Sequence, residues 1–165
     1  MVGVTDGSTP TAAGLFHVVR SRLAGAPREA LGDWVTARGL WGWGRAPKIV
    51  RVGDAWHLGI FLISDQEVFT VGEVVRARSE AVRGFTAEAQ RERAARAAAA
   101  ARGGFAEGEA VHLGWQAIDL EAVDAGGVSG PLEPSASGPL VRWSVAGAPV
   151  PLASYLEDQL SIRDL

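Results

Sequence analysis

Three histidines, His17, His57 and His112, are the side chains of this sequence best suited to moving protons near neutral pH. His57 and His112 fall on expected strands, where they could converge with Glu73, Glu109 or Asp119 as a metal site or an acid–base pair. No His-x-His or His-Glu-x-x-His spacing ties them together, and scattered histidines are ordinarily structural. No metal and no cofactor is therefore expected. The residues best placed for a reaction are His112 with Glu107 or Glu109, a set that would suit a small hydrolase or lyase.

Nucleophilic catalysis has less to stand on. The chain has no cysteine, no Gly-x-Ser-x-Gly elbow and no Ser-x-x-Lys pair. Gly42-Trp43-Gly44 precedes an expected strand instead of joining a strand to a helix, so it is no phosphate-binding loop.

Arginine supplies the other chemistry. Arg76, Arg78, Arg83, Arg91, Arg93, Arg96 and Arg102 face only Glu80, Glu88 and Glu92 in the same stretch. From Gly103 onward, nine acidic residues stand against Arg142 and Arg163, so the two regions can neutralise each other within one chain or across a dimer. Alternatively, Arg78, Arg83 and Arg102 could hold a small anionic ligand or an acidic partner. Trp43 and Arg45, with Trp41 and Lys48, could add an aromatic and cationic surface, although tryptophans in a glycine-rich loop commonly close a core.

Bulk properties narrow the classes. The chain has 165 residues, 47% hydrophobic and 21% charged, which is the composition of a folded single domain and not of a disordered segment. A net charge of −3 makes nucleic acid an unexpected partner. The run Ile60 to Ile63 is far short of the roughly 20 apolar residues of a membrane helix. The polar residues from Met1 to Pro10 do not read as a secretory signal, and a cytoplasmic location is expected. A single lysine, no asparagine and abundant Ala, Gly and Arg suggest a GC-rich bacterial genome.

The elements that must position these groups follow from periodicity. Leu15, Val19 and Leu23 recur at helical spacing between Thr11 and Ala24. Pro27 can open a short second helix with Leu31, Trp34 and Val35 on one face. Lys48 to Val52, Ala55 to Ser64 and Val68 to Arg78 read as an antiparallel meander turning at Gly53-Asp54 and Asp65-Gln66. In that register Val50 opposes His57, His57 opposes Val74, and both faces of the middle strand are apolar. Covering both faces favours a homodimer.

Thr86 can cap a long helix ending at Arg102, with Ala87, Ala94, Ala98 and Ala101 buried, Gly103 in the left-handed C-terminal position and Phe105 following. Glu109 to Leu120 and Leu140 to Val145 supply two more strands, separated by a mobile loop at about 126–139. Pro151 opens a last helix with Leu152, Leu156 and Leu160 on one side. The expected fold is one α+β domain over 1–165. It holds a mostly antiparallel sheet of about five strands, one long helix after the third strand, and helices at both ends.

The stretch Arg83-Gly84-Phe85-Thr86-Ala87-Glu88-Ala89-Gln90-Arg91-Glu92-Arg93, its continuation from Arg102 to His112, and Val141-Arg142-Trp143-Ser144 resemble small actinobacterial proteins without an established function. Some of these are automatically labelled glutaminase. That chemistry uses a Ser-x-x-Lys motif or a cysteine nucleophile, and the residues here supply neither. Two readings follow: a small binding or interaction module acting through the arginine-rich region, or a hydrolase or lyase acting through His112.

Overall fold

The computed structural model describes residues 9–36, 46–79 and 87–163. Trp41, Trp43, Arg45, Arg83 and Thr86 lie outside the described residues. In chain order the elements are α1 (Ala12–Leu23), β1 (Glu29–Val35), β2 (Lys48–Leu58), β3 (Phe61–Ile63), β4 (Val68–Thr70), β5 (Glu73–Arg76) and α2 (Glu88–Arg102). Then follow β6 (Ala110–Leu113), β7 (Gln116–Ala117), α3 (Leu120–Asp124), β8 (Leu132–Glu133), β9 (Leu140–Val141), β10 (Val150–Pro151) and α4 (Leu152–Ile162). The class is α+β, as expected. The sheet detail differs, because a parallel pair, β1 with β6, makes the strand arrangement mixed.

The chain packs as two compact units. The first is built from the described residues of Met1–Ala26, Leu58–Thr70 and Ala117–Leu165. Its helix α1 starts where the Thr11 hydroxyl accepts from the Gly14 N–H and the Asp124 carboxylate accepts from the N–H groups of Ala12 and Ala13. It buries Phe16, Val19 and Leu23; Phe16 meets Phe61 edge-on at 5.1 Å. On α4 the expected leucine stripe is present, with Leu152, Leu156 and Leu160 buried beside Tyr155. The Tyr155 hydroxyl accepts from the Ile60 N–H at 3.0 Å, where Gly59, at φ +59°, turns the chain from β2 into β3. Strands β8, β9 and β10 form a small antiparallel sheet, and β8 falls inside the stretch read as a loop at 126–139.

The second unit comprises Pro27–His57 and Val71–Gln116. Its sheet runs β5-β6-β1-β2, with β1 antiparallel to β2, β5 antiparallel to β6, and β1 parallel to β6. The helix expected after Pro27 is instead the strand β1. Leu31, Trp34 and Val35 do fit helical spacing, but Leu31 is buried between two strands while Trp34 and Val35 keep more than a third of their surface exposed, so pairing on both edges overrides the local pattern. The expected hairpin at Gly53-Asp54 is likewise absent, for β2 runs straight through it and turns at Gly59. Val50 therefore opposes Asp33, and Val74 opposes His112.

Helix α2 ends at Arg102, as its glycine stop implies. The left-handed residue is Gly104, at φ +100°, whereas Gly103 keeps a helical φ of −80°. Gly103 is needed for another reason: a Cβ there would lie 1.5 Å from the Ile49 carbonyl oxygen. The buried stripe is also rotated from the expected one, to Ala99 and Ala100 with Ala97 beside them. They pack with Ala30, Ile49, Val75, Val111, Leu113 and Phe105 into the core of this unit.

Candidate functional site

Strand alternation gives the second sheet two unlike faces. Ala30, Val75, Val111 and Leu113 point to the α2 side. Their neighbours in the chain point to the other, and the register puts Glu29, His57 and His112 there. Glu29 opposes Ala55, two positions before His57, and Leu31, two positions after Glu29, opposes His112. One carboxylate and two imidazoles from three strands thus meet, each offering one ligand-capable atom, all within 4.8 Å of one another.

Glu29 is the hinge of the cluster. Its Oε2 stands 2.5 Å from His112 Nε2 and 3.5 Å from His57 Nδ1. The two rings are 4.9 Å apart and steeply inclined, at 72°. His112 is fully buried, while about a third of the Glu29 and His57 side chains is exposed, so solvent reaches the group from their side. Burial pushes the His112 imidazole below its ordinary 6.5; the hydrogen bond and charge of Glu29 pull the other way, and His57 adds to the lowering. The net direction favours the neutral ring over the charged one.

A neutral His112 is incompletely satisfied in either tautomer. Its Nδ1 is buried without a hydrogen-bond partner among the described residues. With the proton on Nε2, the ring donates to Glu29 and leaves a buried acceptor unpaired. With the proton on Nδ1, a buried donor is unpaired and the Nε2 lone pair faces a carboxylate.

The other candidates named from the sequence go elsewhere. Glu109 ion-pairs with Arg51 and accepts from the Ala106 N–H, the contact that most lowers its pKa. Glu107 accepts from the backbone N–H and the hydroxyl of Ser79, and both hold it below the ordinary carboxylate range. Glu73 pairs with Arg96 at 3.2 Å, Asp119 caps α3, and His17 is exposed on α1. Arg102 donates twice to the Pro47 carbonyl, Arg76 donates to the Gly108 carbonyl, and Arg78 is exposed.

Sequence reasoning reached His57 and His112 but not Glu29, because Glu29 was read into a helix. Gly32 in the middle of that segment, followed by Trp34-Val35, was the available sign of a strand.

Comparison with protein-family models, curated proteins and solved structures gave no match. Among the described residues no helix is long and apolar enough to cross a membrane.

Proposed function

We propose that the chain is a small hydrolase or lyase whose reacting group is the Glu29 carboxylate, held by buried His112 and flanked by His57. The contact of 2.5 Å between Glu29 Oε2 and His112 Nε2 carries this reading. A buried imidazole fixes one carboxylate oxygen, as a positioned acid or base requires, and leaves the part-exposed His57 and Glu29 to meet a substrate. His112 is then a positioning residue, and Glu29 and His57 exchange protons with the reacting molecule. Of the arginines Arg78, Arg83 and Arg102 that could hold an anion, Arg102 already donates twice to the Pro47 carbonyl, which favours the Glu29 cluster as the reacting site.

A panel of activated esters, phosphate esters and amides tests the proposal. Turnover should fall about 10²–10⁴-fold in Glu29→Gln, the range for loss of a general acid or base. Turnover on no member of the panel, or kcat/KM unchanged in a folded Glu29→Gln, overturns it.

A further inference from the structure

Two imidazole nitrogens and one carboxylate oxygen are the donor set of catalytic zinc sites that keep a position open for water. The trio also matches the two-histidine, one-carboxylate arrangement that takes other first-row divalent ions. The three residues sit on β1, β2 and β6, strands locked in register by pairing and by the α2 core behind them, so the donors are held by the framework and not by a loop.

The three donor atoms lie within 4.8 Å of one another, so an ion would have to draw them into tetrahedral spacing. Donors about 2.0–2.2 Å from a tetrahedral zinc lie roughly 3.3 Å from one another. The separation of 3.5 Å between Glu29 and His57 fits as it stands. The 2.5 Å between Glu29 and His112 would have to open by a turn of the part-exposed Glu29 side chain. An ion between them would also remove the conflict of the second tautomer, in which the Nε2 lone pair faces a carboxylate.

We infer that Glu29, His57 and His112 bind one divalent transition ion of the zinc class, with the remaining positions open to water. The inference rests on the same cluster being the working site; with the ion bound, Glu29 and His57 would serve as ligands in place of exchanging protons with the reacting molecule. His112 Nδ1 has no partner among the described residues, so the outer hydrogen bond that usually buttresses a ligating histidine is missing. Affinity should therefore fall about 10–100-fold below that of a buttressed site.

The test is calorimetric titration of the full, untagged, chelator-treated chain with zinc chloride, backed by the visible absorption of the cobalt(II)-loaded protein. One equivalent of zinc should bind. Glu29→Gln and His57→Gln should each weaken binding at least tenfold and reduce the cobalt bands, while His17→Gln, on exposed α1, leaves both unchanged. His112→Gln is set aside because the ring is buried; circular dichroism confirms that the other variants are folded.

No binding of zinc, or binding unmoved in a folded Glu29→Gln, His57→Gln double variant, overturns the inference. Chelation-insensitive turnover that Glu29→Gln abolishes, with no zinc bound, sinks the metal site and keeps the acid–base reading. Stoichiometric zinc lost in the variants, with no turnover on any substrate, keeps the metal site and sinks the enzymatic one.

Discussion

The two faces of the β5-β6-β1-β2 sheet share the same strands and do opposite things. Toward α2 the residues are small and apolar, and the clearances are so tight that backbone meets backbone at Gly103 and Ile49. On the other face three titratable side chains crowd one another while two of them stay open to solvent. The rigid face fixes the register, and the register places Glu29, His57 and His112. Damage to the first face should therefore cost stability, and damage to the second should cost chemistry with little loss of fold.

The largest effect is expected at Gly103. A valine there collides with the Ile49 carbonyl, and relief requires the helix end to move, so Gly103→Val should lose about 3 kcal/mol or more, or fail to fold. Gly108→Val meets no atom within 4 Å and bears only the cost of φ +79°, about 1–2 kcal/mol. Equal urea midpoints for the two, at equal slope, would mean that α2 does not lie against β2 as described.

Next comes Ala100→Leu, an overpacking of a residue with no exposed surface, expected to cost about 1–3 kcal/mol. By contrast Glu29→Gln and His57→Gln, both part-exposed, should shift stability by about 1 kcal/mol or less while removing metal affinity and turnover. A loss from either site variant as large as that of Ala100→Leu would erase the distinction between the faces.

Acid should act on the second face. In the metal-free chain, the His112 pKa is lowered by burial and by His57 against the pull of Glu29. As pH falls through the ordinary 6.5, the unfolded chain takes up this proton and the folded chain does not, so stability drops. It should level off once the pH passes below the folded-state pKa. Urea midpoints measured from pH 7.5 downward check this; a profile that stays flat through and below 6.5 would show that the ring is not held neutral. The smallest effect is expected for Glu107→Gln, an exposed carboxylate on Ser79, which should leave zinc binding unchanged in the same titration.

Local pattern determined α1, the end of α2, and α4, but neither α3, which starts where a strand was expected to end, nor the helix expected after Pro27. Thr11 and the apolar spacing behind it mark α1, the glycine pair after Arg102 ends α2, and Pro151 with three leucines marks α4, because caps, stops and a 3.6-residue stripe act over a few positions. The lack of cysteine likewise excluded thiol chemistry from the start. Only the tertiary structure decided that 29–35 is a strand, that β2 passes through Gly53-Asp54, and that β6 lies parallel to β1. Each depends on partners far along the chain that supply the hydrogen bonds and burial a short segment lacks. Glu29 and His112 are 83 positions apart, and the parallel pairing that joins them has no local signature, so the cluster existed in the sequence only as three unrelated residues.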